Sequence, residues 1–124
     1  IYFYFGGLIT IYFICAAILG CFILETVNYI EHYGLSRKLV REGVFERVQP
    51  HHSWNSNHVI GRLLLFELSR HSDHHFMASR KYQLLRHKEG APQMPTGYPG
   101  MILLSLIPSL WFKVMHKQMI KYHL

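Results

Sequence analysis

The stretch IYFYFGGLITIYFICAAILGCFIL, residues 1–24, carries no charge, and Thr10 is its only polar side chain. As an α-helix it would be about 36 Å long, enough to cross a bilayer core of roughly 30 Å. A cleaved signal peptide fits poorly, because its apolar region is shorter and follows a basic start. The interior helix of a soluble protein rarely runs this long without a charge. We therefore predict a transmembrane helix over residues 1–24.

The positive charge of the chain lies almost entirely after residue 36. The 124 residues have a formal net charge of +6, and Arg37, Lys38 and Arg41 follow the predicted membrane helix closely. Short loops rich in Lys and Arg stay in the cytoplasm, so we expect the residues after the helix on the cytoplasmic side. Basic residues beside a membrane span usually reflect topology or lipid contact. We therefore predict membrane lipid, and no nucleic acid, as a partner.

The rest of the chain divides into a histidine-bearing region, residues 25–90, and a tail, residues 91–124. The predicted fold class is all-α, an integral-membrane helical bundle with a cytoplasmic histidine-rich helical region. Residues 36–50 are expected to form an amphipathic connector that a proline ends, and residues 58–75 one continuous helix. The tail combines a Gly- and Pro-rich loop, a short apolar segment and a basic end. Residues 101–112 contain Pro108 and suit an interfacial or re-entrant segment.

A polar stripe begins where the membrane helix is predicted to end. Glu25, Asn28, Tyr29 and His32 follow the spacing i, i+3, i+4, i+7, which places them on one helical face. We expect this face to point into the protein, and Gly34 to end the helix.

The segment RHSDHH, residues 70–75, places three histidines close together. On a helix, His71 and His75 lie about 40° apart and His74 about 60° to the other side, so their rings can meet at one point. Imidazole is a good ligand for iron, zinc and copper. Asp73 could orient a ring by accepting its second N–H. The alternative is a solvated polar helix end, but three histidines on one face favour a metal site.

Six short segments, taken in order, resemble one family of enzymes. They are NYIEHYGL at 28–35, HSWNS at 52–56, RHSDHH at 70–75, RKYQLLRH at 80–87, APQMPTGY at 91–98 and PSLWFKVM at 108–115. Together they closely resemble the C-terminal part of the integral-membrane alkane monooxygenases. These are non-haem di-iron enzymes of the membrane fatty-acid desaturase and hydroxylase superfamily.

The resemblance implies a set of site residues. The final histidine box of the family falls on His71, His74 and His75, and its isolated ligand falls on His32, so these four would bind iron. Glu31 and Asp73 would lie in the outer shell of the metal. The segment HSWNS contributes two residues, His52 and Asn55, which would support the site or cap a helix. The other histidines are expected at the surface or in local hydrogen bonds: His51, His58, His87, His116 and His123.

The resemblance also implies a reaction. It is the terminal hydroxylation of medium- or long-chain alkanes to 1-alkanols, with O₂, two iron ions and electrons from rubredoxin, at the cytoplasmic side of a bacterial inner membrane. The two upstream histidine boxes of the family are absent from these residues, so the chemistry requires an upstream part of the same enzyme. The alternatives are a related desaturase or aromatic-side-chain hydroxylase, and a non-catalytic metal-binding fragment. Phe76, Met77, Ser109 and His116 depart from the family pattern and bear on chain-length preference.

Overall fold

A computed structural model describes residues 1–123 and shows a mainly helical chain. The α-helices are α1 (Tyr2–His32), α2 (Val59–Leu64), α3 (His71–Phe76), α4 (Tyr98–Ser105) and α5 (Pro108–Lys121). The strands β1 (Leu39–Arg41) and β2 (Val44–Phe45) pair antiparallel, and 3-10 turns cover Pro50–His52 and Tyr82–Leu84. The predicted all-α membrane fold is confirmed, with one small two-stranded sheet added to it.

Helix α1 contains the predicted membrane segment and continues past it to His32. It is long and apolar enough to cross a membrane, and none of its most apolar window is buried inside the protein. Gly6 (φ +79°) separates the first turn from the rest of the helix. Gly34 follows the helix end with φ +71°, a left-handed conformation that glycine adopts without steric cost. The predicted helix end is therefore confirmed.

The hydrophobic core lies beside the last turns of α1 rather than along its membrane part. Its members come from α1, the buried segment 52–56, the loop before α4, and helices α4 and α5. They are Ile30, Trp54, Met94, Tyr98, Met101, Trp111 and Met115.

Helices α4 and α5 form a helical hairpin against the end of α1. Helix α4 runs antiparallel to α1: Tyr98 at its start bonds Glu31, whereas Ser105 at its end lies beside Phe22 and Thr26. The chain turns at residues 106–107, and α5 then runs back toward the end of α1. The turn between the two helices is therefore level with residues 22–26 of α1.

The segment HSWNS is buried from His52 to Ser56, although four of its five residues are polar. The backbone N–H of Trp54 donates to the carbonyl of Glu31 (2.8 Å), and its indole N–H donates to the carbonyl of Tyr33 (2.8 Å). These bonds satisfy carbonyls that the end of α1 leaves without helical partners. Pairing of these backbone groups reduces the cost of burying the segment.

Asn55 joins the same segment to the loop before α4. Its backbone N–H donates to the carbonyl of Pro92 (2.8 Å), and its carbonyl accepts from the N–H of Met94 (2.7 Å). The segment 52–56 therefore connects α1 to a part of the chain that is about forty residues further on.

Two expectations about the middle of the chain are corrected. Residues 36–50 form a β-hairpin that turns at Gly43 (φ +71°), and Pro50 begins a 3-10 turn. Residues 58–75 are two short helices, because Phe66 (φ +49°) and Glu67 (φ +64°) adopt left-handed conformations that interrupt the helix. Arg62 holds Glu67 through two hydrogen bonds of 2.8 Å, which offsets the strain.

The predicted inward stripe on α1 also differs in the structure. Its members, Glu25, Asn28, Tyr29 and His32, are all exposed, and the buried residues of α1 are Ile30 and Glu31. The reason is that the core and α4 pack against the face that carries Ile30. His32 lies at the border of this face, toward α3.

Candidate metal centre

Three imidazoles from two helices meet at the end of α1. His32 comes from α1, and His71 and His75 come from α3; one ring nitrogen from each lies within 4.8 Å of the others. The Nε2 atoms of His32 and His71 are 3.3 Å apart. Two nitrogens that are each about 2.1 Å from one metal ion lie about 3.0–3.4 Å apart at tetrahedral or octahedral angles. The separation therefore fits two ligands of a single metal ion.

His32 presents the correct nitrogen to this cluster. Its Nδ1 lies 3.4 Å from the backbone carbonyl of His52. A carbonyl can only accept, so in this contact Nδ1 carries the proton, and in the neutral ring Nε2 then has a lone pair toward His71. A ligand histidine usually donates its other N–H to a carbonyl or carboxylate in this way.

The His52 ring is fixed by two further hydrogen bonds. Its Nδ1 accepts from the backbone N–H of Gln49 (3.0 Å), and its Nε2 lies 3.2 Å from Oε1 of Glu46. These bonds hold His52 in place, and its backbone carbonyl is the group that contacts His32. Burial and the neighbouring His51 lower the pKa of His52, which keeps the ring neutral.

A second group, Glu46, His51 and His52, also brings three metal-ligand atoms within 4.8 Å of one another. In a neutral His52, the bond from Gln49 places the proton on Nε2, the atom that faces Glu46. A protonated nitrogen cannot bind a metal. The hydrogen bonds therefore account for this group without an ion.

Asn55 holds the histidine helix by its N-terminus. Its Oδ1 accepts from the backbone N–H of Ser72 (2.9 Å), and its Nδ2 donates to Ser72 Oγ (2.5 Å). Helix α3 has only six residues, too few to be stable without tertiary contacts. Asn55 thus caps the helix that carries His71 and His75.

Asp73 is fully buried and gathers basic groups on the other side of α3. It accepts hydrogen bonds from Arg80 and from the backbone N–H of Arg86 (2.9 Å), and Lys88 Nζ is 3.3 Å away. Burial raises the pKa of Asp73, but these hydrogen bonds hold it below its ordinary value. The hydrogen bonds of Asp73 among residues 1–123 go to these groups and not to an imidazole, so it anchors the helix rather than orienting a ring.

Glu31 faces the nitrogen of His71 that points into the cluster, whereas an outer-shell carboxylate would bond the other ring nitrogen. Its Oε2 is 3.3 Å from Nε2 of His71, the same nitrogen that faces His32. Its Oε1 accepts a 2.6 Å hydrogen bond from the hydroxyl of Tyr98. Tyr98 is buried and 67 residues distant in sequence, and sequence reasoning gave it no role. The segment APQMPTGY, which ends on Tyr98, was the one signal for it.

The environment of the cluster keeps His71 and His75 neutral. Burial, together with the nearby rings of His75, His32 and His74, lowers the pKa of His71 to about 3. Burial also lowers the pKa of His75, with His32 and His74 contributing. Neutral imidazole is the form that binds metal ions, so this donor set suits iron, zinc or copper.

His74 stays outside the group of three. Its ring centroid is 6.1 Å from that of His71 and 5.7 Å from that of His75. The structure therefore brings together three of the four predicted ligands. A cavity of about 340 Å³ opens beside His32 and His75, with Arg37 in its wall.

The remaining histidines have separate surroundings. His58 bonds Ser56 (3.0 Å), and His51 packs edge-to-face against His52. His116 is exposed but bonds the hydroxyl of Tyr33 (2.9 Å), a contact between α1 and α5 rather than a local one. These positions leave the described cluster to His32, His71 and His75.

The fold and this cluster define a helical membrane protein with a histidine site able to hold a metal ion. Residues 1–105 match the family model described as fatty acid desaturase. The chain belongs to the fatty acid desaturase family, which agrees with the membrane helix and the histidine helix.

Curated relatives show which enzymes of this family the chain is similar to. The chain is 50% identical over 119 residues to alkane 1-monooxygenase 2 of Pseudomonas aeruginosa, covering 96% of this chain and 32% of the relative. It is 51% identical to alkane 1-monooxygenase 2 of Alcanivorax borkumensis, covering 91% and 30%. The hydroxylase component of a xylene/toluene monooxygenase of Pseudomonas putida is 38% identical, covering 90% and 28%. The chain thus spans about a third of the length of these relatives.

Proposed function

We propose that this chain forms the C-terminal part of an alkane 1-monooxygenase, which hydroxylates the terminal methyl of medium- or long-chain alkanes with O₂. One observation carries the proposal: His32, His71 and His75 converge on one point in a chain about half identical to alkane 1-monooxygenases.

The residues of the site would hold iron. His32, His71 and His75 supply three nitrogen donors, and His74 is available to a second ion. Four imidazoles do not complete two iron sites, so we propose that an upstream part of the enzyme supplies the other ligands of a di-iron centre. Iron with imidazole ligands supplies activation of O₂, which an unreactive C–H bond requires. Within this chain, His52 and Asn55 orient the ligands.

The electron donor proposed is rubredoxin. The site lies at the end of α1 where basic residues are numerous, and Arg37 lines the cavity next to His32 and His75. A basic surface favours an acidic protein partner through electrostatic attraction. We place the site on the cytoplasmic side of a bacterial inner membrane, because basic residues follow α1.

The relative that acts on xylene and toluene supports a second candidate, hydroxylation of a methyl group on an aromatic ring. Its identity of 38% is lower than that of the alkane enzymes, so alkanes are the first choice. An assay with both substrate classes separates the two.

A chimaera tests the proposal, because a relative can supply the upstream part of the enzyme. Residues 25–123 replace the matching segment of the Alcanivorax borkumensis relative, and membranes are assayed with octane, dodecane and xylene, with rubredoxin and its reductase supplied. We expect 1-alkanols as the main products. An alkene would indicate a desaturase.

Two variants of the chimaera provide the controls. His32→Ala should abolish product formation and lower the iron content, because it removes one of the three clustered imidazoles. His32 is remote from the histidine helix in sequence, so this variant also tests the tertiary contact between α1 and α3. His87→Ala, at an exposed histidine, should retain both. A folded chimaera that binds iron but oxidises no substrate would contradict the proposal.

A further inference from the structure

The helical hairpin α4–α5 presents an uncovered apolar tip. Among the described residues, Leu103, Leu106, Ile107 and Leu110 surround the turn and are each between 44% and 66% exposed. Four large apolar side chains at one tip are not explained by packing within this chain. Ser105 and Leu106 lie beside Phe22 and Glu25 of α1, where the uncharged part of α1 ends.

The position of the tip beside residues 22–25 of α1 defines its depth relative to the membrane. Glu25 is the first charged residue of α1, so the hydrocarbon boundary lies near it if residues 1–24 cross the membrane. The tip of the hairpin is level with that boundary. Its apolar side chains therefore lie where acyl chains begin, and the uncovered face continues the lipid-exposed surface of α1.

A row of lysines begins just beyond the tip. Lys113, Lys117 and Lys121 are spaced four residues apart on α5, so they share one face, and all three are exposed. No carboxylate pairs with them among residues 1–123. With Leu110 and Val114 they line a groove of about 510 Å³. The groove thus has an apolar end at the tip and a cationic edge leading away from the bilayer.

We propose that the α4–α5 hairpin is a membrane anchor whose tip enters the bilayer interface and whose lysine row binds the headgroups of anionic phospholipids. An acyl chain would lie against Leu110, at the end of the groove nearest the tip, and the phosphate would meet Lys113 first. Lys117 and Lys121 lie progressively farther from the tip and would act mainly through the surface potential. The anchor would hold α5, and through it the end of α1 that carries His32, at a fixed depth.

The depth of the tip can be measured directly. Nitroxide labels are placed at Leu106→Cys, and at Val44→Cys on the exposed β-hairpin as a control, with Cys15 and Cys21 replaced by alanine. The protein is reconstituted in vesicles of phosphatidylcholine and phosphatidylglycerol. We expect the label at 106 to be accessible to O₂ and shielded from a water-soluble nickel complex, and the label at 44 to be open to nickel. Nickel access at 106, or shielding from both reagents, would overturn the proposal, since the tip would then face water or protein.

The lysine row is tested by lipid selectivity. The association of spin-labelled phosphatidylglycerol, relative to phosphatidylcholine, is compared for Lys113→Gln, Lys117→Gln and Lys121→Gln. One lysine near an anionic surface accounts for up to about a fivefold preference, so we expect Lys113→Gln to lose the most and Lys121→Gln the least. A matched variant, Lys38→Gln with Arg41→Gln and Arg47→Gln, removes three charges from the β-hairpin. A variant that combines the three α5 changes is the comparator for this matched variant. If the two triple variants lower selectivity equally, or if the α5 variants change nothing, the headgroup site is refuted.

Discussion

Tyr98 illustrates how a distant side chain shapes the cluster at the scale of single residues. Its hydroxyl donates to Oε1 of Glu31, which leaves Oε2 directed at His71. In Tyr98→Phe the buried carboxylate would lose this partner and could turn away. We expect metal affinity, measured by Co²⁺ titration, to fall by about tenfold, with a change in the visible Co²⁺ spectrum. Tyr82→Phe, at an exposed tyrosine, is the control, and an unchanged spectrum in Tyr98→Phe would show that Glu31 keeps its place unaided.

Asn55 provides a second prediction at the residue scale. Asn55→Ala removes both hydrogen bonds to Ser72 and leaves the N–H of a buried residue unpaired. We expect a loss of about 1–3 kcal/mol in the free energy of unfolding and a fall of about 10–100-fold in Co²⁺ affinity. Ser72→Ala removes only the bond to the hydroxyl and should cost less on both measures. Equal costs would mean that the bond to the backbone N–H, and hence the cap, contributes nothing.

Among the elements, the junction between α1 and α5 depends on Gly34. An ideal Cβ at this position would lie 2.5 Å from Cε of Met119, and the φ of +71° disfavours any side chain. The contact is with the flexible end of Met119, which can move, so the backbone supplies most of the cost. We expect Gly34→Ala to destabilise the protein by about 1–2 kcal/mol in detergent unfolding.

A double-mutant cycle with Met119→Ala separates the two causes. If the backbone conformation dominates, the costs of the two changes add. A coupling well above about 0.5 kcal/mol would instead identify the steric contact as the main cause. Gly20→Ala, in the middle of α1 with open space around the glycine, should not destabilise the helix.

The elements also show what the sequence could predict. Helix α1 was predictable because its hydropathy is continuous, and the pairing of His71 with His75 because helical spacing is local. The proximity of His32 to His71 and His75 is a tertiary contact. It was predicted only from the family resemblance. The break at Phe66 and Glu67 was missed, because neither residue favours a left-handed conformation and the bonds from Arg62 that stabilise it appear only in the structure. The β-hairpin was missed because its strands are three and two residues long.

For the molecule as a whole, a metal ion would join α1 to α3. His32 is separated from His71 by 39 residues, so one ion held by both would close this long segment. An ion at a hundredfold excess over its Kd stabilises the folded state by about 2.7 kcal/mol. We expect Co²⁺ or Zn²⁺ to slow limited proteolysis between residues 62 and 70, and a chelator to reverse the effect. His32→Ala should abolish this protection and His87→Ala should retain it; protection that survives in His32→Ala would place the ion elsewhere.

The pairing of Asn55 with the loop at Pro92 and Met94 has a consequence for biosynthesis. Asn55 positions the histidine helix, yet its own backbone partners are synthesised about forty residues later. When a ribosome has added His75, the cluster therefore lacks both the loop that pairs with the backbone of Asn55 and the tyrosine whose hydroxyl bonds Glu31. The nascent chain therefore contains the histidine ligands before it contains the residues, 91–98, that hold Asn55 and Glu31 in place. We expect iron to enter this site only after residues 91–98 have left the ribosomal tunnel, so that premature capture of a wrong ion by the nascent histidines is disfavoured.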